Sequence, residues 1–285
     1  MTRHLDLEAL HLEQGGHEDP EKGMCVMEAV AYFAHEPFSD HPKCASPLIT
    51  RLLISLNDRW DDARRQQLKR YIPLVVGTAS GTADEMRRGW IAADWLVHDF
   101  TPRWLDRAGL TEEARELRAL PEINSRERWD AAYATVNNVR ARAWAEREKR
   151  WKKIVFYADA AAAAAAAAAG EPIAAAYTAA ADAAAAAYTA AADAAAEPIA
   201  AAYTAAADAA ADAAADAYAA DAYAADAYAA DAYAELKGKT YEERKAYFRA
   251  KIDAALADTV RESDASVLAL VDRLIAVGRA EAAAV

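Results

Sequence analysis

Apolar residues recur at helical spacing along most of the chain, and nowhere do they alternate as in a half-buried strand. Val26, Ala29, Val30 and Phe33 fall at i, i+3, i+4 and i+7, which predicts a first helix from Glu21, after an irregular, charged lead-in over 1–20. The two prolines of HEPFSDHPK, 35–43, predict a loop. In SPLITRLLISLND, 46–58, Ser46 is placed as N-cap and Pro47 at the first helical position. DDARRQQLKRYIPLVVG continues helically, is interrupted at Pro73 and ends at Gly77. TADEMRRGWIAADWLVHDF, 82–100, opens with Thr82 three residues before Glu85, the spacing of a capping box. TPRWLDRAGL and TEEARELRAL predict two short helices split by Gly109. The second takes Thr111 as N-cap, with Glu112 and Glu113 in the first turn, where the macrodipole favours acids. A long helix is expected from Ser125 onward. The segment from Lys239 predicts two amphipathic helices, with Val267, Leu270, Val271, Leu274 and Ile275 as the buried stripe of the second.

The expected fold is therefore all-α, in three parts. A Trp-rich helical domain spans 1–150, an acidic Ala-rich helical repeat tract spans 151–236, and a C-terminal amphipathic helix pair spans 237–285. The pair must pack on the Trp-rich part or on itself. All seven tryptophans lie between Trp60 and Trp151, which places the core there.

The tract offers helix almost no competition, since alanine is the best helix former. It holds two copies of EPIAAAYTAAADAA, at 171–184 and 197–210, and four ADAYA words from Ala215 to Ala234. Gly170 followed by Pro172 predicts a stop and restart, and Pro198 a kink or an abrupt restart. On a helix, Tyr177, Tyr188 and Tyr203 share one face. A five-residue step turns about 140°, so Tyr218, Tyr223, Tyr228 and Tyr233 point all around it. Such a helix is either solvated throughout or enclosed by partners, copies of itself included. These seven tyrosines are the candidate interaction residues.

Charge sharpens the division. The formal net charge is −12, and between Lys153 and Lys237 there is no Lys or Arg, only twelve acids. Removing those twelve from the 45 Asp and Glu leaves as many acids as there are Lys plus Arg, so the tract carries the whole imbalance. Nucleic-acid binding is disfavoured for want of a basic face. DNA mimicry is also weak: acids five residues apart on a helix lie about 7.5 Å apart, against one charge per ~1.7 Å of duplex. Ice binding fares worse, because Thr178 and Thr189 are eleven apart but Thr204 breaks the array. The amino terminus is too polar for a signal peptide, and the alanine run at 160–169 is too short and too weakly apolar to span a bilayer. A soluble, cytoplasmic protein with no membrane partner is expected.

Candidate chemistry concentrates in GGHEDPEKGMCVMEAVAYFAHEPFSDHPKCASP. His41 and Cys44 have ligand-like local spacing, and Cys25 or His17 could complete a zinc site with them. Zinc is the one cofactor left open. Against it, no CxxC pair occurs, the two cysteines form no disulfide framework, and a free cysteine is commonly a small buried hydrophobe. A Cys25–His41 nucleophile pair would need a fold that brings the two together. Asp58, Asp61 and Asp62 share a helix face suited to a divalent cation, or to a solvated first turn. No Gly-rich phosphate loop, nucleophile elbow, HExxH or EF-hand pattern is present.

The blocks GMCVMEAVAYFAHEPFSDHPKC, SLNDRW, RYIPLVVGTA, AGLTEEARELRALPEI and ALVDRLIA, set around an alanine tract, resemble a group of uncharacterised alanine-rich proteins of tailed phages and bacteria. The resemblance implies a phage-like setting and no reaction. Three functions follow as expectations. The first is a non-enzymatic structural or interaction protein, self-associating or bound to a protein partner through the tract. The second is a phage-type inhibitor that presents an acidic surface to a host protein. The third is a metal-dependent enzyme built on the Cys/His block.

Overall fold

In the computed structural model, which describes residues 5–157 and 240–279, every regular element is helical. The lead-in is irregular but docked rather than loose. Gln66 binds Leu12 through both ends of its amide, accepting from the Leu12 N–H and donating to the Leu12 carbonyl, each at 2.9 Å. Leu12 is buried beneath this clasp. Helix α1 (Val26–Phe33) follows, with Val26, Ala29 and Val30 buried as their spacing predicts and Phe33 exposed. Helix α2 (Pro47–Arg59) begins at Ser46, whose hydroxyl accepts from the Ile49 N–H, with Pro47 in the first turn. Its last carbonyls, of Asn57 and Trp60, receive the buried guanidinium of Arg65 at 2.7 and 2.8 Å.

The predicted continuation breaks into three short pieces: α3 (Asp62–Arg65), a 3₁₀ turn (Gln66–Tyr71) and α4 (Ile72–Val75), with Pro73 in the first turn of α4. Helix α5 (Thr82–Trp95) starts one residue earlier than its capping-box spacing implies. Gly81, at φ 106°, is the N-cap, a backbone conformation that disfavours a side chain. Glu85 is then free to pair with Arg88 instead of Thr82. The predicted break at Thr101–Pro102 is also absent. A π turn (Leu96–Phe100), closed by the Thr101 N–H on the Leu96 carbonyl, widens the helix just before Pro102 and joins α5 to α6 (Thr101–Arg107). Gly109, at φ 77°, stops α6, and α7 (Thr111–Arg118) begins with Leu110 rather than Thr111 as N-cap. Helix α8 (Arg126–Tyr157) buries Trp129, Ala132, Val136, Val139 and Ala143 along one stripe.

The predicted C-terminal pair is a single helix, α9 (Tyr241–Ala276). Ser263 and Asp264 lie inside it, and neither caps a helix. The Ser263 hydroxyl turns back to donate to the Thr259 carbonyl at 2.7 Å, and Asp264 pairs with Arg64 at 2.6 Å. The stripe Val267, Leu270, Val271, Leu274 and Ile275 is buried as predicted and belongs to the same core as Leu53, Val75, Trp95 and Trp104.

Polar side chains of the N-terminal part fix the second half of α9. Arg103 holds Glu262, Trp95 donates to Ser266, Tyr71 donates to the Leu268 carbonyl, and Arg70 meets Asp272. At the end, Arg88 is fully buried. Its Nε donates to the Leu274 carbonyl and its Nη2 to the Val277 carbonyl, both at 3.0 Å, while Nη1 meets Glu85 at 2.9 Å. A cation there satisfies orphan carbonyls and the negative end of the helix dipole together. No helix among the described residues is long and apolar enough to cross a membrane.

Candidate functional site

The Cys/His block folds into a structural network rather than a ligand cluster. Cys25 is the N-cap of α1: its Sγ accepts from the Glu28 N–H, while its own N–H donates to Glu28 Oε2 at 2.8 Å. Glu28 Oε2 also takes His17 Nδ1 at 2.8 Å, and Oε1 takes the His17 backbone N–H. The buried carboxylate thus has three donors, and His17 is committed to it as an Nδ1 donor. Burial, reinforced by the Glu28 charge, pushes the Cys25 thiol up to about 12. His41 lies apart on the surface, 63% exposed, bound to Asp40 at 2.7 Å. Cys44 sits beside Glu36, and burial together with that carboxylate raises its thiol to about 11. Both cysteines are free thiols. No group of three or more His, Cys, Asp or Glu among the described residues is arranged to hold a metal ion. Cys25 and His17 thus meet at Glu28, whereas His41 is bound to Asp40 and Cys44 sits beside Glu36.

The acidic trio is likewise absorbed by the fold. Asp58 accepts the Gly15 N–H, Asp61 caps α3 through the Arg64 N–H, and Asp62 meets His11 and Gln66. Tyr177, Tyr188, Tyr203, Tyr218, Tyr223, Tyr228 and Tyr233 lie outside the described residues.

Polar groups do converge at a place the sequence does not announce. A cleft of about 560 Å³ runs between the π turn, with the ends of α5 and α6 beside it, and the outer edge of α9. One wall carries Asp94, Trp95, His98, Asp99 and Arg103; the other carries Glu262, Ala265, Ser266, Ala269, Leu270 and Arg273. The α9 positions step i, i+3, i+4, i+7, i+8 and i+11, so they form one continuous helix face. Reading two helices where there is one hides that face. The only sequence signal on the opposite wall is Asp94 and His98 at i and i+4, a common surface pairing.

His98 is held at both ring nitrogens. Nδ1 lies 2.9 Å from Asp94 Oδ1, and Nε2 lies 2.9 Å from the Leu120 carbonyl. A neutral imidazole has one N–H, whereas imidazolium can donate to both acceptors. The Asp94 hydrogen bond raises the His98 pKa, burial opposes it, and the Leu120 carbonyl adds to the rise. For Asp94, burial alone would raise the pKa. The His98 hydrogen bond, the Ile123 N–H at 2.9 Å and the charges of His98 and Arg273 outweigh that, so the net shift is downward.

Deeper in the cleft, Trp95 Nε1 donates to Ser266 Oγ at 2.7 Å, and Ser266 donates in turn to Asp99. Asp99 Oδ1 also takes Arg103 Nη2 at 2.8 Å, and Arg103 Nη1 reaches Glu262 Oε2 at 3.0 Å. Ser266 is thus tied to a tryptophan and a carboxylate, and both nitrogens of the neighbouring imidazole are occupied. The arrangement suits holding a ligand and lacks the hydroxyl–imidazole contact of an activated nucleophile. No family model, curated protein or solved structure matches the chain.

Proposed function

We propose that the protein is a non-enzymatic structural or interaction protein, whose helical core carries the acidic Ala/Tyr/Asp tract as an insertion and which self-associates through it. The observation that carries this reading is the placement of the tract's flanks. Helix α8 runs to Tyr157, and α9 starts at Tyr241 with a Thr240–Glu243 capping box. The far part of α9 then returns to the core and is locked by Arg88. A tract held through both flanks by one folded body is displayed rather than left as a tail. The tyrosine pattern of the pentads, which no single helix face can bury, supplies the reason for association. The setting is that of a cytoplasmic protein of a tailed phage or its bacterial host, with a second copy or another protein as partner. In the same reading, polar clusters such as His17–Glu28–Cys25 stabilise the core rather than perform a reaction.

Native mass spectrometry of the untagged chain tests it. A discrete multiple of 30.7 kDa, returning to the monomer when the four tyrosines Tyr218, Tyr223, Tyr228 and Tyr233 are replaced by alanine, is the expected result. A monomer at tens of micromolar overturns self-association. The twelve acids with no intervening Lys or Arg favour one second reading, display of an acidic surface to a basic protein partner. Salt-sensitive binding of such a partner by a monomeric chain would support it.

A further inference from the structure

We infer that the cleft between the π turn and α9 is a binding site for a short, extended peptide with free termini, three or four residues long. The inference rests on how charge is distributed along the cleft. At the Glu262 end, Arg103 is shared by two carboxylates, Asp99 and Glu262, so that end carries an excess negative charge. Glu262 uses Oε2 for Arg103, and Asp99 uses Oδ1 for both Arg103 and Ser266. The second oxygen of each carboxylate makes no hydrogen bond among the described residues. In the middle, Asp94 and His98 balance one another. At the far end stands Arg273, which makes no hydrogen bond or ion pair among the described residues and acts on Asp94 only through space. The cleft is neutral in sum and dipolar in layout.

Geometry sets the ligand's length. Glu262 and Arg273 are eleven residues apart on α9, about 16 Å along the axis. Both side chains lean toward the amino terminus of the helix, as helical side chains do, so the span between the two charges stays near that figure. An extended chain covers about 3.3–3.6 Å per residue and a hydrogen bond of about 2.8 Å at each end adds to its reach, so three or four residues fit between the poles. The wall between them on α9 is Ala265 and Ala269, small enough for a peptide backbone to lie close, with Leu270 and Trp95 as apolar flanks. A cleft of about 560 Å³ also falls within the usual size range of small-ligand pockets. The chemistry is complementary at each position. The peptide's amine meets Glu262, its first N–H meets the second oxygen of Asp99, and its carboxylate takes the planar fork of Arg273.

The π turn contributes His98 and Asp99 to this wall, and single π turns inside α-helices are frequent at functional sites. The site stands apart from self-association, because it uses no residue of the tract.

Isothermal titration of the full-length protein with tetra-alanine tests the assignment. Saturable binding with Kd below about 1 mM is expected. Amidating the peptide's carboxylate, or substituting Arg273→Gln, should each weaken binding at least about tenfold, and the two changes should not add. N-acetylation and Glu262→Gln should behave as a second such pair. All four charged positions of this test are at the surface or on the peptide, so thermal unfolding of the two variants should match that of the wild type, and their native mass should be unchanged. Absence of saturation at about 10 mM tetra-alanine overturns the inference. So does undiminished binding of the amidated peptide, or of the free peptide by the Arg273→Gln variant.

Discussion

Replacing Arg88 with methionine removes the one cation that ties the end of α9 to α5 and leaves the apolar stem in place. In the wild type the guanidinium donates to the Leu274 and Val277 carbonyls at 3.0 Å, to Glu85 at 2.9 Å and to the Ser80 hydroxyl at 3.1 Å, all without solvent exposure. A hydrogen bond to a charged group contributes about 1.5–3 kcal/mol net, but bonds sharing one donor group do not sum independently. Methionine refills most of the volume, so the cavity contribution is small. The dominant loss is the Glu85 carboxylate and two helix-end carbonyls left buried without their donor. Breaking a buried pair in this way costs about 3–5 kcal/mol, and that is the expected loss for Arg88→Met. Urea unfolding followed by circular dichroism measures it as a fall in midpoint at unchanged slope. Arg88→Lys should lose less, because one ammonium can serve some but not all of these acceptors. Removing Glu85 together with Arg88 (Arg88→Met with Glu85→Leu) should recover part of the loss. A cost below about 1 kcal/mol for Arg88→Met, or a double variant no better than the single one, would refute the claim that this buried charge locks α9.

The His98–Asp94 pair should make stability depend on pH on both sides of a window. His98 is raised, so its contribution is fully present below the unfolded value of about 6.5 and is lost as pH rises through the folded value. Asp94 is lowered, so its contribution is present above about 3.9 and is lost as pH falls through its folded value. Urea midpoints measured from about pH 2 to 9 should therefore peak between those limits, and His98→Gln should flatten the alkaline fall; a parallel profile in the variant would contradict the assignment. Cys25 and Cys44, raised to about 12 and about 11, should react slowly with an aromatic disulfide reagent at pH 8 until the protein is unfolded in urea. Immediate labelling of both thiols in the native protein would be inconsistent with the capping geometry of Cys25 and the Glu36 contact of Cys44.

Much of the site's obscurity comes from α9. Its buried stripe was legible from Val267 to Ile275, because helical periodicity is a property of neighbours within four positions. Its continuity was not. Ser263 and Asp264 lie inside it, held by the Thr259 carbonyl and by Arg64, some 200 positions earlier. The same holds at Pro102, where local rules predict a break and the π turn removes the need for one. Cys25 illustrates the converse. The spacing of His41 and Cys44 suggests a ligand pair that Cys25 could complete, yet Glu28, three residues on, engages Cys25 in a capping box. The sequence rule for that box names serine and threonine, not cysteine.

Sequence alone determined that the described chain is helical, where α2 and α7 lie and where α8 begins to within a residue or two, and which stripe of the C-terminal segment is buried; α1 starts at Val26, five residues after the start its pattern suggests. These follow from i to i+4 periodicity, proline and glycine placement, and the balance of charge, all of which are written locally. The tertiary structure decided the rest: one C-terminal helix instead of two, Arg88 as its lock across 186 positions, and a cleft whose two walls come from segments some 170 residues apart. Which distant side chains share a space depends on how complete helices pack against one another, and that information is not carried by any short window of residues.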